Sequence, residues 1–167
     1  MKIDQFQELD IVLVCGLQGS GKTHFARNFF RSNDRKRINR GELRKYIYEM
    51  THFGDKWQDD YFNETDEMLV KHVERKILEH FLHNNRKVLI DNTSVTIDSR
   101  KNYVILAKKM NKSIGVIFLG TPVDKCLERN RKKESKLSEN IITNLYAKIK
   151  LPDHDEGFKE VLIVSDY

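Results

Sequence analysis

The sequence predicts a single α/β domain, residues 1–167, with a five-stranded, mostly parallel sheet covered by helices on both faces. Three observations lead to this prediction. Short, apolar, β-branched segments alternate along the chain with longer amphipathic segments. A glycine-rich loop joins the first apolar segment to the first helical one. The length of 167 residues suits one domain with one hydrophobic core.

The first half of the chain contains two predicted strands, each followed by a helix. Residues 10–15 form an apolar, valine-rich run that ends at a glycine, as a buried parallel strand does. A helix is predicted at residues 22–31, because at helical spacing their phenylalanines fall on one side of that helix. A short strand is predicted at residues 36–38 and a helix at residues 42–50.

The second half repeats the alternation. Residues 62–84 show apolar positions at helical spacing over a long stretch, which predicts an amphipathic helix. An Asn-Asn pair ends it, and a strand follows at residues 88–90. The remaining predicted elements are helices at 99–110, 124–131 and 138–149, and strands at 114–119 and 161–164.

Composition excludes several classes of protein. Charged residues make up 33% and hydrophobic residues 39% of the chain, with 8 Gly and 2 Pro, which is typical of a globular protein and not of a disordered or fibrous one. The purest apolar run, residues 11–15, is far shorter than a membrane span. The N-terminus lacks the apolar core of a signal peptide, so a cytoplasmic location is expected. Cys15 and Cys126 lack metal-ligand spacing and are expected to be buried.

The glycine-rich loop has the pattern G-x-x-x-x-G-K-[ST] and lies between a strand and a helix. Its glycines allow successive backbone N–H groups to point at phosphate oxygens, and the helix N-terminus adds partial positive charge. We expect it to bind the phosphates of a nucleotide, with Lys22 on the β- and γ-phosphates and the Thr23 hydroxyl on Mg²⁺. The residues expected to form this nucleotide site are Gly16, Gln18, Gly19, Ser20, Gly21, Lys22 and Thr23.

Asp91 ends the third strand, at the carboxyl edge of the sheet, where ligands bind in such folds. An acid at this position of a P-loop enzyme holds Mg²⁺ or lies beside the substrate. The alternative is a purely structural role, because Asp-Asn-Thr also favours turns. Another acidic segment, residues 153–156, reads as a surface turn.

The net charge of +5 is modest, but the charges are clustered. Residues 27–45 contain eight basic and two acidic side chains, whereas residues 49–67 contain seven acidic and one basic. Basic residues at 129–133 suggest a lid that closes over the phosphate donor. The basic segments have two interpretations. They can be solvated helix faces, or they can converge on one cleft and attract a polyanion such as nucleic acid.

Four motifs together resemble the polynucleotide 5′-hydroxyl kinases and their small P-loop kinase relatives. They are Gly-Leu-Gln-Gly-Ser-Gly-Lys-Thr at 16–23, Ile-Asn-Arg-Gly-Glu-Leu-Arg at 38–44, Ile-Asp-Asn-Thr-Ser at 90–94 with Ser99, Arg100 and Tyr103 after it, and Leu-Glu-Arg-Asn-Arg at 127–131. The resemblance covers nearly the whole chain. It implies a P-loop kinase fold and ATP- and Mg²⁺-dependent transfer of a phosphoryl group to the 5′-hydroxyl of a DNA or RNA end.

The resemblance also implies roles for individual residues. Arg44 would hold the phosphate of the acceptor, and Arg129 would belong to the lid. Lys133 stands where the next lid arginine is expected, with Arg131 nearby, so the cation that touches the nucleotide stays open. The implied catalytic residues are Lys22, Glu42, Arg129 and Arg131; the implied acceptor-binding residues are Arg40, Arg44, Asp91, Asn92 and Arg100; the implied metal ligands are Thr23 and Asp91; Arg129 and Lys133 complete the nucleotide site.

One position departs from the family pattern. The general base of the family is the Asp directly after Asn-Arg, and this chain has Gly41 there, with an acid only at Glu42. Two alternatives therefore stay open: a kinase of a small hydroxylated molecule, and an ATP-binding module with impaired phosphotransfer. The oligomeric state is not indicated by the sequence.

Overall fold

The computed structural model describes residues 3–31, 34–133, 136–165 and 167. The strands of this part are β1 Ile11–Gly16, β2 Lys36–Ile38, β3 Val88–Asp91, β4 Ile114–Leu119 and β5 Glu160–Val164. The helices are α1 Asp4–Gln7, α2 Lys22–Phe30, α3 Arg40–Thr51, α4 Glu64–His83, α5 Ile97–Lys109, α6 Val123–Arg131 and α7 Glu139–Ala147. Single 3₁₀ turns lie at Asp59–Tyr61 and His154–Glu156. In the part described, no helix is both long and apolar enough to cross a membrane.

The five strands form one sheet in the order β2-β3-β1-β4-β5, and every pair is parallel. Leu13 of β1 lies between Ile90 of β3 and Val116 of β4. The predicted five-stranded, mostly parallel sheet is confirmed. The strand order reverses at β1, because the chain continues to one side through α2 and later crosses to the other side. This switch point opens a crevice at the carboxyl end of β1.

The alternation of side chains along β1 divides the core into two layers. Ile11 and Leu13 face a cluster that includes residues of α4 and α5, whereas Val12 and Val14 face a cluster that includes residues of α1 and α2. Both layers are fully buried at the sheet. Because both faces are apolar, each strand reads as a continuous hydrophobic run, which is why the strands could be found from the sequence.

Helix α1 was not predicted, because four residues are too few to show a helical period. Phe6 of this helix is fully buried against the α2 layer. The guanidinium of Arg35 donates to the carbonyls of Phe6, Gln7 and Leu9 at the C-terminal end of α1. A long-range contact therefore stabilises an element that local propensity does not specify.

Candidate active site

The P-loop, residues 16–23, has a positive φ at Gly16, Gly19 and Gly21, and at the first two the backbone of a neighbouring element also leaves no room for a Cβ. Gly19 has φ +85°, and a Cβ there would lie 2.5 Å from the carbonyl oxygen of Cys126. Gly16 has φ +147°, and a Cβ there would lie 2.7 Å from the carbonyl oxygen of Leu119. The loop is thus held against α6 and the end of β4. The Ser20 hydroxyl in its centre is buried and has no hydrogen-bond partner in the described residues.

Lys22 is the first residue of α2, and its side chain folds back into the loop. Its Nζ donates to the carbonyl of Gly16 at 3.0 Å and to that of Leu17 at 2.8 Å. Burial lowers the pKa of Lys22 to about 8, although the nearby Asp91 carboxylate acts in the opposite direction. The ammonium group is therefore placed inside the phosphate cradle, where an anion would stabilise its charged form.

Thr23 and Asp91 meet at the base of the P-loop. The Thr23 hydroxyl donates to Asp91 Oδ2 at 2.8 Å. Asp91 is fully buried, and its Oδ1 has no partner in the described residues. A hydroxyl and a carboxylate with an unused oxygen match the donors that Mg²⁺ prefers, and Mg²⁺ commonly takes only one or two protein ligands beside phosphate oxygens. The residues present thus fit the magnesium ion that the motif implies.

Arg37 was missed as a site residue, having been counted only within the basic segment 27–45. Its Nη2 and Nε lie 2.6 and 2.9 Å from Asp91 Oδ2. The same guanidinium contacts both carboxylate oxygens of Glu42, at 2.9 and 3.2 Å. A signal was available: Arg37 alternates with the buried Ile38 in a strand that pairs with β3, which places it on the same face as Asp91.

A cleft of about 510 Å³ connects the P-loop to α3 and to the segment after α6. Lys45 of α3 and Trp57 also line it. It brings together many of the residues that the sequence predicted for the site: Gln18, Lys22, Arg40, Arg44, Asp91, Asn92 and Lys133. Three of the cations in this set, Lys22, Arg44 and Lys133, come from three separate elements. The arrangement suits a ligand with several negative charges.

Arg44 lies in this cleft, but its fork already binds a carboxylate. Its Nε and Nη2 lie 2.8 and 3.0 Å from the two oxygens of Glu67 on α4. The guanidinium also lies over the Phe62 ring, 5.4 Å from its centroid. Three-quarters of the Arg44 side chain is buried by these contacts, so its planar fork is held in one orientation.

Arg40 and Asn92 belong to a hydrogen-bonded network under the cleft. Arg40 Nη2 donates to Glu74 Oε2 and to the Tyr103 hydroxyl, each at 2.7 Å. Asn92 Nδ2 donates to Glu74 Oε1 and to Tyr103, also at 2.7 Å. The backbone N–H of Arg40 donates to Asn92 Oδ1. Both side chains were predicted to bind the acceptor; the structure shows them joining α3 to α4, α5 and the end of β3.

Arg100 was predicted to bind the acceptor, and its position contradicts that prediction. The residue is fully buried, and its Nε and Nη2 lie 2.8 and 2.6 Å from the oxygens of Glu156. It therefore presents no surface to a substrate. Glu156 belongs to the segment interpreted as an acidic surface turn, and its carboxylate instead faces inward to neutralise Arg100.

The predicted lid residues separate into three positions. Arg129 donates to the Gly19 carbonyl at 3.2 Å, so it lies on the P-loop. Lys133 lines the cleft with Lys22. Arg131 instead pairs with Glu139 at the start of α7, with both side chains exposed. Asn130 exchanges hydrogen bonds with the backbone of Leu137, which brings together the two ends of the segment between α6 and α7.

The parallel sheet, the P-loop and the basic segment beside it define a P-loop kinase domain. Over residues 11–151 the chain matches the AAA domain family, and it belongs to this family. The predicted P-loop kinase fold is thereby confirmed. Membership extends over β1 to the residues after α7, and it includes every element that lines the cleft.

Individual relatives are distant. An L-seryl-tRNA(Sec) kinase of Methanococcus maripaludis is 22% identical over 142 residues, which make up 85% of this chain and 53% of that protein. The chain thus spans about half the length of this curated relative. A chain in the structure of a Pnkp1/Rnl/Hen1 RNA repair complex is 22% identical, with a TM-score of 0.68, over 83% of this chain and 43% of its own. A sugar kinase from Janibacter sp. HTCC2649 is 14% identical, with a TM-score of 0.62, over 92% of this chain and 83% of its own.

Proposed function

We propose that this domain is an ATP-dependent kinase that transfers the γ-phosphoryl group to the 5′-hydroxyl of a DNA or RNA end. The observation that carries the proposal is the cleft itself. It joins Lys22 of the P-loop and the buried Asp91 to Arg44 and Lys45 of α3. One end therefore suits the triphosphate, and the other suits an acceptor that carries its own phosphate groups.

The chemistry requires positioning and charge neutralisation more than strong activation of the hydroxyl, because the transition state of phosphoryl transfer is loose. Lys22 stabilises the negative charge that develops between the β- and γ-phosphates. Arg129 and Lys133 approach the donor from the segment after β4. Thr23 and Asp91 would hold Mg²⁺, which would neutralise phosphate charge. Arg44 orients the acceptor, with Glu67 and Phe62 keeping its fork fixed.

Gly41 leaves the first turn of α3 without the family base, and Glu42 is the only acidic residue in that turn. Glu42 extends toward Arg37. If it served as a substitute base, Glu42→Gln would lower kcat by about 10² or more. We expect a smaller effect, since the carboxylate is engaged by Arg37. Gly41→Asp should raise kcat on a 5′-hydroxyl oligonucleotide, because it restores the acid of the family pattern. Its Cβ would lie 3.1 Å from Oδ1 of the capping residue Asn39, which must shift by a few tenths of an ångström to accommodate it.

Two relatives favour a nucleic acid as acceptor. One has a tRNA-linked substrate in its name, and the other comes from an RNA repair complex. The basic residues of the cleft agree with this choice.

The deciding experiment is a transfer assay with labelled ATP, 5′-hydroxyl DNA and RNA oligonucleotides of several lengths, and a panel of nucleosides and small alcohols. Labelled 5′ ends in the wild type, and none in Lys22→Ala, are the expected result. Transfer only to small alcohols would contradict the proposed acceptor.

Arg44 provides a second test of the acceptor. Arg44→Ala should raise the KM for the oligonucleotide several-fold and leave the affinity for ATP unchanged. Arg75→Ala is the matched control, because Arg75 is an arginine of α4 paired with Glu79 and is not among the residues lining the cleft. An acceptor KM that falls steeply at low salt would indicate a polyanion. Equal weakening of ATP binding would place Arg44 on the donor side.

A kinase of a small hydroxylated molecule is the second candidate. It is favoured by the pairing of Arg44 with Glu67 and of Arg40 with Glu74, which reduces the positive charge of the acceptor end. The sugar kinase with the same fold is consistent with it. The panel of alcohols in the transfer assay distinguishes the two candidates directly.

A further inference from the structure

We propose that Arg37 and the divalent cation compete for Asp91 and Thr23, and that Glu42 is the carboxylate that retains Arg37 when the cation binds. This inference rests on the proposed function only in requiring that the P-loop bind a nucleotide together with Mg²⁺. It assigns Arg37 and Glu42 to the control of metal affinity, a role separate from acceptor binding.

The contacts of Arg37 place a positive charge at the two side chains that fit Mg²⁺. Its Nη2 is 2.6 Å from Asp91 Oδ2 and 3.4 Å from Thr23 Oγ1, and its Nε is 2.9 Å from the same carboxylate oxygen. Asp91 Oδ2 thus accepts from Thr23 and twice from Arg37. Asp91 Oδ1 stays open to a cation, but Arg37 also reaches the Thr23 hydroxyl, so a cation that takes both Asp91 and Thr23 must share them with the guanidinium.

Electrostatics makes the two cations alternatives. Asp91 is fully buried, and a buried carboxylate needs a compensating charge at all times. One carboxylate cannot compensate both a guanidinium and a divalent ion at short range without strong repulsion between them. The guanidinium of an arginine keeps its charge throughout the physiological pH range. Arg37 therefore stays charged and must move rather than lose its proton.

Glu42 already binds the Arg37 guanidinium and can keep it bound when it leaves Asp91. It receives two bonds from the guanidinium, at 2.9 and 3.2 Å, and its side chain is about half exposed. The Asn39 side chain caps α3 by accepting from the backbone N–H of Glu42 at 2.8 Å, which fixes the position of this residue. Arg37 can consequently leave Asp91 without losing its ion pair with Glu42.

The test measures the Mg²⁺ dependence of nucleotide affinity, by titrating a fluorescent ADP analogue at a series of Mg²⁺ concentrations without any acceptor. Arg37→Gln should lower the Mg²⁺ concentration that gives half of the full affinity, by about three- to tenfold. Glu42→Gln should raise it by a similar factor, because Arg37 then has only Asp91 as a partner. The opposite signs of the two variants are the signature of the proposal.

Lys36→Gln is the matched control, since it removes one positive charge next to Arg37 from a side chain that pairs with Asp34 and not with Asp91. It should leave the Mg²⁺ midpoint unchanged. An equal shift in Lys36→Gln and Arg37→Gln would reduce the effect to general charge and overturn the proposal, as would a higher Mg²⁺ requirement in Arg37→Gln. If Arg37→Gln fails to fold, Glu42→Gln decides alone, and an unchanged or lowered midpoint overturns the inference.

Failure of this inference is distinguishable from failure of the proposed function. A wild-type protein that labels 5′ ends but shows the same Mg²⁺ midpoint in all variants would keep the proposed function and refute the competition. A wild-type protein that binds no nucleotide at any Mg²⁺ concentration would refute both. An acceptor other than a nucleic acid would leave the competition untouched.

Discussion

Lys22 combines two properties that are rarely found together in one side chain. It is more than nine-tenths buried, and it is the ammonium group that the P-loop motif predicts to contact phosphate. Burial lowers its pKa to about 8 from an ordinary value above 10. Bound phosphate groups favour the charged form, so they raise this pKa again. Above this pKa, we therefore expect nucleotide binding to be coupled to the uptake of a proton by Lys22.

This coupling predicts the pH dependence of nucleotide affinity. Below the free-protein pKa of about 8, Lys22 is charged with or without nucleotide and contributes no pH dependence. Above it, the proton must be supplied on binding, so the affinity should fall by up to about tenfold per pH unit. Isothermal titration calorimetry with a non-hydrolysable ATP analogue, in buffers of different ionisation enthalpy, measures both the affinity and the proton uptake.

Lys22→Arg is the control for this prediction, because arginine keeps its charge throughout the range. Its affinity should be lower overall but free of this dependence on pH. The effect is expected above about pH 8, whereas a terminal phosphate titrates at about pH 6. Titration of the phosphate therefore does not produce it. A wild-type affinity that stays constant up to about pH 10 would show that Lys22 retains an ordinary pKa.

At the scale of elements, one polar network joins three helices beneath the cleft. The Tyr103 hydroxyl of α5 accepts from Arg40 of α3 and from Asn92, and donates to Glu74 of α4. Burial of the ring raises the pKa of this hydroxyl, which keeps it protonated as a donor to Glu74. The network therefore fixes where α3 begins, and α3 carries Arg44 into the cleft.

Tyr103→Phe tests this network. The substitution keeps the ring but leaves Asn92 and Glu74 with an unmet hydrogen bond in a buried position, which should cost about 1–3 kcal/mol of the free energy of unfolding. It should also raise the KM for the acceptor more than that for ATP. Tyr46→Phe is the control, because Tyr46 lies on α3, the helix that the network positions, and its side chain is exposed. Chemical denaturation compares the two variants; equal stability of both would contradict the role of Tyr103.

The strands, the P-loop and every helix of the described residues except α1 could be predicted from sequence because their signals are local: apolar runs, a helical period, and a motif of eight residues. The local signals did not indicate pairs of charges far apart in the chain: Arg100 was expected to bind the acceptor, and Arg37 was not expected at the site. Arg100 and Glu156 lie 56 residues apart, and Arg37 and Asp91 lie 54 apart. The sequence around Arg100 does not indicate its partner, and the sequence around Arg37 indicates only the face of the sheet on which it lies. Whether an arginine faces a substrate or a buried carboxylate is decided only when the helices pack.

At the scale of the whole molecule, the Arg100–Glu156 pair ties the segment before β5 to the rest of the fold. Arg100 lies on α5, and Glu156 lies in the 3₁₀ turn that precedes the edge strand β5. The Arg100 Nη1 also donates to the Ser94 carbonyl, in the loop that follows Asp91. One buried guanidinium thus connects the edge of the sheet with the loop beside the active site.

A double-mutant cycle measures this connection. Arg100→Met leaves the Glu156 carboxylate without its partner, and breaking a buried pair from one side costs about 3–5 kcal/mol. The double variant Arg100→Met with Glu156→Gln should lose clearly less than the sum of the two single losses, because it leaves no buried charge unpaired. The exposed pair of Lys132 and Glu128 is the comparison, and Glu128→Gln should leave the Tm unchanged.

Because Arg100 has no exposed surface, Arg100→Met should also leave the acceptor KM unchanged wherever the protein is still folded. A large rise in that KM, at a temperature well below the Tm, would instead show that Arg100 positions the loop after Asp91 for the acceptor.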